Sequence, residues 1–570
     1  MRNFQLAVFC MVVAALVACG GGGGGADSGV QTTGSSGGGG GSGSGGSGFY
    51  LPYVATSTAG GETGVFVVPS NNLSATPVFV TRTPAASQGV SVISLLKQSS
   101  APYAFVYIAS GSDGNAHVYL SNISNTSVVP SATQLSSLSL RSMADICGIV
   151  GWAQANVDDP TTWFVVLHIN AGGTSSCGAG GDVYQVIHYN DSSTTDPTVA
   201  NITAPTTPLG SALTALYQSN GALGGLVLLD SATGNLDFYS DDTFTSPKVL
   251  TTGVSASHDM IDDSAFDNTD SVGATTAFLS VTTTSGTSVW RVPASGAASK
   301  VYTASGNLSP LGVADASNVY FSDNAVPGGQ AIYQEPIAGG TPTPLYRSAM
   351  SGLTLPPAYM LVGSNGTSLV LTANGGSATG GISTSVVTLP VSTPSAPTTI
   401  AGPFAGVATV SMCPSTFGDA TSDVILVTQG TPGSAPVSYS SEALTPGGVV
   451  KQPALANSAF LAPPGSGGFG SVLQVRGITD TSGGYGGGTV SALNLSSFST
   501  TTLNTTTGSG TYTVPSGDQL FVTFLSADIG LGVVGPQPNS TSSGGSIAVD
   551  LSKSLIVTVS VPNSTVSVLL

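Results

Sequence analysis

Residues suited to acid–base chemistry are scarce in this chain of 570 residues. It has four histidines and 11 lysines and arginines together, and its only glutamates are Glu62, Glu335 and Glu442. General acid–base catalysis needs titratable groups held within hydrogen-bond reach of one another. A glycosidase needs two placed carboxylates, and aspartates could supply them, but no spacing in the sequence selects a pair. We therefore predict that the chain is not an enzyme.

The histidines offer one further candidate for chemistry. His168 ends the apolar run that starts at Trp163, and His188 ends a similar run that starts at Val183. Both runs are typical of β-strands, so the two imidazoles could meet on neighbouring strands and help to bind zinc. The alternative is that each is a structural histidine with its hydrogen bonds satisfied. The same holds for His117 and His258.

The one dense acidic segment follows His258. Carboxylate oxygens on a loop are ligands that Ca²⁺ prefers, although the spacing is not that of an EF-hand. A solvated acidic loop is the alternative. Apart from calcium we expect no cofactor. The five candidate ligands are Asp259, Asp262, Asp263, Asp267 and Asp270.

A serine-hydrolase site is not predicted. Such enzymes carry Gly-x-Ser-x-Gly between a strand and a helix. The only match is Gly34-Ser35-Ser36-Gly37-Gly38, inside a glycine-rich segment that cannot hold a nucleophile in place.

The start of the chain predicts export. A basic residue at position 2 is followed by an apolar run over 4–17, which is about the length of a signal-peptide core and shorter than a membrane span. The run ends in Leu16-Val17-Ala18-Cys19, which resembles the lipobox of bacterial lipoproteins. That resemblance implies cleavage before Cys19 and acylation of its thiol. The alternative is an ordinary secretory signal that contains a cysteine.

Three segments follow from this start. We predict a signal peptide over 1–18, a lipidated cysteine with a flexible Gly/Ser-rich linker over 19–48, and a folded body over 49–570. In lipoproteins of Gram-negative bacteria, Asp after the lipidated cysteine often marks inner-membrane retention, and here Gly20 follows. We therefore expect lipid anchoring in the cell envelope, at the outer membrane.

An oxidising envelope permits disulfides. Cys147 and Cys177 are the pair that we expect, since they lie about thirty residues apart within one repeat unit. Cys413 is then a buried free thiol or the partner of one of them.

Composition narrows the fold and the partners. The chain is 41% hydrophobic and only 7% charged, with a net charge of −17. Nucleic-acid binding needs a basic face, so we exclude it. Short Gly/Pro/Asn/Ser clusters separate β-branched runs, which predicts an all-β fold.

The body repeats one strand-and-turn pattern, most clearly over 312–346. Two short strands flank a turn, and a hairpin with a Gly-Gly turn follows. Its segments are Gly312-Val313-Ala314, Val319-Tyr320-Phe321-Ser322-Asp323, Ala331-Ile332-Tyr333-Gln334 and Pro344-Leu345-Tyr346.

This unit resembles one blade of secreted bacterial β-propellers of the TolB-like or YWTD-like kind. The resemblance implies four-stranded blades stacked radially. We count up to ten such units and predict one ring of eight to ten blades. Two smaller propellers in tandem, or an array of β-sandwiches, are the alternatives. The strong strand over 555–561 is expected to pair with an N-terminal strand, near 49–51 or 65–68, or to be the last strand of the last blade.

These features predict a non-enzymatic lipoprotein that uses a β-propeller as a binding or scaffold module for a protein or a glycan, with the membrane as second partner. The alternative is a propeller enzyme, a lyase or a hydrolase, with its site at the central channel.

Overall fold

The fold is seen in a computed structural model. It describes residues 48–56, 63–72, 75–82, 90–98, 101–110, 116–130, 133–134, 146–156, 159–170, 182–190, 198–203, 214–218, 222–230, 234–239, 248–262, 275–294, 297–304, 308, 313–315, 317–326, 329–347, 358–376, 382–392, 397–405, 408–416, 419–430, 438–461, 471–480, 484–505, 510–524, 529–535, 555–560 and 565–568.

All regular structure in these residues is β-strand, as predicted, and none of them forms a helix long and apolar enough to cross a membrane. The strands are β1 (Tyr50–Thr56), β2 (Thr63–Pro69), β3 (Val78–Arg82), β4 (Val90–Gln98), β5 (Ala101–Ser110), β6 (Ala116–Asn122), β7 (Thr133–Gln134), β8 (Ile146–Asn156), β9 (Asp159–Asn170), β10 (Asp182–Asn190), β11 (Thr198–Thr203), β12 (Thr214–Tyr217), β13 (Leu223–Asp230), β14 (Asn235–Tyr239), β15 (Lys248–Thr251), β16 (Val254–Asp262), β17 (Thr276–Thr283), β18 (Gly286–Pro293), β19 (Ser299–Thr303), β20 (Val313–Ala314), β21 (Asn318–Val326), β22 (Gly329–Pro336), β23 (Thr343–Arg347), β24 (Ala358–Ser364), β25 (Ser368–Gly376), β26 (Ile382–Pro390), β27 (Thr398–Ala405), β28 (Ala408–Thr416), β29 (Asp419–Gln429), β30 (Ser440–Leu444), β31 (Val450–Ala456), β32 (Ser458–Phe460), β33 (Ser471–Arg476), β34 (Thr489–Asn494), β35 (Thr500–Thr502), β36 (Asn504–Thr505), β37 (Gln519–Phe524), β38 (Ile529–Gly535), β39 (Leu555–Ser560) and β40 (Thr565–Val568).

Most strands form four-stranded sheets in which sequential strands are neighbours and antiparallel. The sheets are β1–β3, β4–β7, β8–β11, β12–β15, β16–β19, β20–β23, β24–β27, β28–β31 and β32–β35, followed by a five-stranded sheet in the order β36-β40-β39-β38-β37. The unit predicted over 312–346 is the sheet β20–β23. An all-β chain built from four-stranded sheets is therefore confirmed.

Both faces of the inner strands are buried, each against a different sheet. On β17, Phe278 packs on the following sheet, whereas Leu279 packs on the preceding one. On β25, Leu371 packs on the preceding sheet and Val370 on the following one. Successive side chains of a strand point to opposite faces, so a strand covered on both sides becomes an almost continuous apolar run. This succession of packed sheets favours stacked blades over sheets paired as sandwiches.

Polar side chains join neighbouring sheets where apolar packing ends. The amide of Gln330 donates to the Tyr359 carbonyl at 2.7 Å and accepts from the Tyr359 N–H at 2.9 Å. The guanidinium Nε of Arg291 donates to the Ile337 carbonyl at 2.7 Å. These bonds satisfy backbone groups at the sheet ends and fix the stagger between sheets.

The C-terminal strand does not pair with the N-terminal one. β39 pairs with β38 and β40 inside the last sheet, and β1 pairs with β2. Closure by pairing the strand over 555–561 with residues 49–51 or 65–68 is therefore wrong, and the alternative, a strand of the last sheet, is confirmed. The parallel pairing of β36 with β40 completes that sheet instead.

Candidate active site

Two loops meet beside the sheets β32–β35 and β36–β40. We call residues 477–480 and 484–488, which join β33 to β34, the glycine loop, and residues 510–518, which precede β37, the facing loop. Backbone hydrogen bonds hold them together: the Tyr485 N–H donates to the Asp518 carbonyl at 2.8 Å, and the Gly487 N–H to the Val514 carbonyl at 2.9 Å. The two loops thus form one rigid unit.

Glycine is required where the loops touch. A Cβ on Gly484 would lie 2.6 Å from the Asp518 carbonyl oxygen, and one on Gly486 would lie 2.6 Å from the Cα of Ser516. Both neighbours are backbone atoms that cannot rotate away. The glycine run after Asp480 therefore allows a close approach that side chains would prevent.

This contact brings together two carboxylates, those of Asp480 and Asp518, which are both partly buried. Oδ2 of Asp480 accepts the Gly517 N–H at 2.5 Å. Burial raises the pKa of the Asp518 carboxyl above its ordinary value, and the negative charge of Asp480 raises it further. Asp518 therefore keeps its proton to higher pH than an ordinary aspartate does.

Tyrosines surround the pair as neutral hydroxyl donors. Burial, and then the charge of Asp480, raises the pKa of Tyr439 to about 12. Burial, and then the charge of Asp518, raises the pKa of Tyr512 to about 12. Burial also raises the pKa of Tyr485, whose ring lies 5.6 Å from that of Tyr439.

The hydroxyl of Tyr512 is buried and makes no hydrogen bond to the described residues. A buried polar group without a partner is costly, so such groups are usually satisfied by a ligand, water or protein atom. With this donor, the site combines a carboxyl whose pKa is raised with a second carboxyl group. Environments that differentiate two such groups are typical of an acid and a base in one site.

The strand register separates two of the histidines. β9 and β10 pair with His168 opposite Tyr184 and His188 opposite Phe164, so the two histidines are about 13 Å apart along the strands. The ring of His188 lies 4.8 Å from that of Phe164. The register therefore sets His168 and His188 apart, against the suggestion that their imidazoles could meet. His117 is buried on β6, with its ring 6.2 Å from that of Tyr119, and His258 lies on β16.

The predicted calcium loop is partly a strand. Asp259 and Asp262 lie on β16, paired with Leu279 and Ala277, so they are not loop ligands. Asp263, Asp267 and Asp270 lie outside the described residues. Within the described part of the chain, no three His, Cys, Asp or Glu side chains are grouped as a metal site.

The cysteine predictions are only partly within the described residues. Cys19 and Cys177 lie outside them, as does the Gly-x-Ser-x-Gly match over 34–38, and Cys147 lies on β8. Cys413 on β28 is buried and disulfide-bonded. A free thiol at Cys413 is therefore wrong.

Sequence reasoning did not find the pair, because Asp480 and Asp518 are separated by 37 residues and belong to no spaced motif. The available signal was the glycine run over 483–488. A run so rich in glycine between two strands indicates close backbone approach.

Comparisons with known proteins give structural matches only. No family model and no curated protein matches the chain. Among solved structures it is similar to a prolyl endopeptidase (12% identity, TM-score 0.34, 79% of this chain and 55% of that one) and a puromycin hydrolase (12%, 0.32, 72% and 52%). A prolyl oligopeptidase B from Galerina marginata is also similar (10%, 0.33, 78% and 54%). The chain spans about half the length of these proteins.

The prediction of a non-enzymatic binding or scaffold module, and with it the prediction that the chain is not an enzyme, is contradicted. The solved structures that the chain resembles are named as peptidases or hydrolases. What those names describe belongs to those proteins.

Proposed function

We propose that this chain is a hydrolase whose acid and base are Asp518 and Asp480. One observation carries the proposal: the glycine loop and the facing loop place the two carboxyls so that burial and the charge of Asp480 keep Asp518 protonated to higher pH. General acid–base catalysis of this kind contributes about 10²–10⁴-fold in rate.

The reaction follows from the two protonation states. Asp518 gives its proton to the leaving atom as the bond from that atom to the electrophilic carbon breaks. The oxygen of one water molecule forms the new bond to that carbon, and Asp480 takes the proton that the water releases. The Tyr512 hydroxyl donates a hydrogen bond to the substrate. Asp480 then releases its proton to solvent and Asp518 takes one up from solvent, so both carboxyls return to their starting states.

A panel of chromogenic substrates tests the proposal: p-nitrophenyl glycosides, p-nitrophenyl esters and aminoacyl p-nitroanilides. We expect one class to be hydrolysed by the full chain, and Asp518→Asn and Asp480→Asn to abolish that hydrolysis. The matched control is Asp315→Asn, because Asp315 is also a turn aspartate that accepts backbone N–H groups, from Ser317 and Asn318. Turnover of no class, or full turnover by both variants, overturns the proposal.

We propose further that the sheets are blades of a single propeller ring. The support is that successive sheets from β12–β15 to β36–β40 pack face to face in chain order. Electron-microscopy class averages of the full chain should show one ring of eight to ten blades. Two separate smaller rings would overturn this arrangement.

The lipid anchor at Cys19, and with it the outer-membrane location, is likewise a proposal, supported by the lipobox sequence. Cys19→Ala should leave the precursor without lipid and move the body out of the membrane fraction. A variant that is processed and fractionates as the parent does would contradict it.

The pairing of Cys147 with Cys177 is a proposal that competes with the disulfide at Cys413. A cysteine forms one disulfide, so a bond from Cys413 to either residue excludes the pair. Mass spectrometry of non-reduced peptides decides between them: a peptide linking Cys147 to Cys177 supports the pair, and one linking Cys413 to either residue overturns it.

A further inference from the structure

A second polar concavity lies on the sheet β16–β19, far along the chain from the carboxylate pair. It is a cleft of about 190 Å³ bounded by the end of β15, the turn from β17 to β18, and β19. The lining residues on which the argument depends are Thr251, Thr283, Thr287, Ser288, Trp290 and Lys300. We call it the hydroxyl cleft.

Core packing and a hydrogen bond hold the indole of Trp290 in place at the hydroxyl cleft. Trp290 lies partly buried on β18 and packs against the core shared with the preceding sheet. Its Nε1 donates to the Ser288 hydroxyl at 3.1 Å, and Ser288 Oγ in turn donates to the Val281 carbonyl at 3.3 Å. The ring therefore keeps one orientation at the cleft.

Lys300 supplies the only positive charge of the lining. It lies on β19 directly opposite Trp290 in the register and is exposed. Trp290 and Lys300 therefore line the hydroxyl cleft from neighbouring positions of two adjacent strands.

The remaining lining is dominated by hydroxyls. Thr283 Oγ1 lies 2.8 Å from Ser285 Oγ, and Thr282 Oγ1 lies 3.1 Å from Thr287 Oγ1. Each hydroxyl both donates and accepts. A lining of this kind matches a ligand whose own groups also donate and accept, which is the chemistry of sugar hydroxyls. The apolar face of a pyranose ring fits an indole.

Charge selects among saccharides. The chain has a net charge of −17, and its field repels a polyanion from the surface. A single exposed lysine does not reverse that field, whereas it can donate to a neutral hydroxyl or ring oxygen.

We propose that the hydroxyl cleft binds a neutral saccharide, with one pyranose ring stacked on Trp290 and its hydroxyls bonded to Lys300 and the threonines. This binding site is separate from the carboxylate pair, and the inference does not rest on the proposed hydrolase function.

The test is calorimetric titration of the full chain with cellotetraose, maltotetraose and chitotetraose as neutral probes, and with tetragalacturonate as the acidic probe. We expect at least one neutral probe to bind. Trp290→Ala should weaken it roughly tenfold, or about 1.4 kcal/mol, and Lys300→Gln roughly threefold. Lys248→Gln, an exposed lysine on neighbouring β15, is the matched control and should bind as the parent does.

Because Trp290→Ala could disturb the core, Thr252→Trp provides a second variant. Thr252 is exposed and lines the cleft, so a large ring there should block the ligand without touching the core. The inference is overturned if no neutral probe binds, or if tetragalacturonate binds more tightly than the neutral probes. It is also overturned if the folded Thr252→Trp variant binds as well as the parent does. Binding without hydrolysis leaves it standing, so the two proposals fail separately.

Discussion

The glycine loop and the turn from β17 to β18 occupy the same position in their sheets, between the second and third strands, yet they are built for different chemistry. The turn is as short as a hairpin allows, with Thr284 and Ser285 between the strands. The glycine loop, residues 477–480 and 484–488, is longer and is hydrogen-bonded to the facing loop.

The difference shows two ways in which this fold places polar groups beside a connection between strands. In both places the sheet faces are covered by neighbouring sheets, and the glycine loop adds the buried side chains of Ile478 and Tyr485 to the core of the last two sheets. Beside a short turn, residues of the strands themselves, such as Trp290 and Lys300, form the proposed saccharide site. A long loop brings its own functional groups and the glycines that let it close.

The strongest way to test this contrast is to remove the proton carrier, Asp518, of the facing loop on which the glycine loop packs. Asp518→Asn should lower the hydrolytic rate by about 10²–10⁴-fold, because an amide cannot donate the proton that the leaving group needs. The measurement is the initial rate on the chromogenic substrate that the parent hydrolyses. Lys248→Gln, at an exposed lysine on β15, should keep the parental rate, and equal losses in both would contradict the contrast.

Replacing one glycine beside each connection with alanine compares how tightly the two connections are packed. In Gly486→Ala the new methyl meets the Ser516 backbone at 2.6 Å and should destabilise the protein by about 3 kcal/mol. In Gly253→Ala, beside the short turn, the space is open and φ is +69°, so we expect a cost of about 1 kcal/mol. Thermal unfolding monitored by circular dichroism ranks them; the reverse order would show that the glycine loop is loosely packed.

The unpartnered hydroxyl of Tyr512 sharpens the comparison further. Tyr512→Phe removes a donor that makes no bond to the described protein, so stability should be nearly unchanged. The rate should fall by about fivefold if the hydroxyl bonds the substrate, as one hydrogen bond is worth about 1 kcal/mol. A variant with parental activity would assign Tyr512 to structure alone.

The smallest effect concerns pH. The pKa of Asp518 is raised in the folded chain, so the stability linked to its proton is present below the ordinary aspartate pKa and is lost as pH rises through the raised value. Asp518→Asn should therefore be slightly more stable than the parent at neutral pH and equal to it in acid. Carboxyl NMR of Asp480→Asn should show a lower pKa for Asp518, still raised by burial. An unchanged value would mean that the two charges do not interact.

Much of the architecture was predictable from sequence, because it follows from local pattern. The run Val319-Tyr320-Phe321 alternates between two buried faces, and a Gly-Gly turn ends the next hairpin, so the sheet β20–β23 was visible in the sequence. The pairing of β39 was not, since any apolar strand suits either end of the chain.

The site was not predictable, for a related physical reason. Asp480 and Asp518 come together through backbone hydrogen bonds between two loops, and such bonds leave no side-chain signature. The acidic segment that starts at Asp259 suggested a calcium site only because its aspartates are close together in sequence. Two of them, Asp259 and Asp262, belong to a strand. Density of charge in sequence is a poor guide to proximity in space.

Alternate burial of the strand residues also has a mechanical consequence. Each sheet from β16–β19 to β32–β35 adheres to two neighbours, so cutting the chain in a connecting loop severs no apolar contact. Fragments from a single proteolytic cut should stay associated and elute as one particle. Removing a whole sheet would expose the apolar faces of both of its neighbours, which could then pack on each other. The sheet, and not the strand, is therefore the unit by which this chain can be shortened or lengthened.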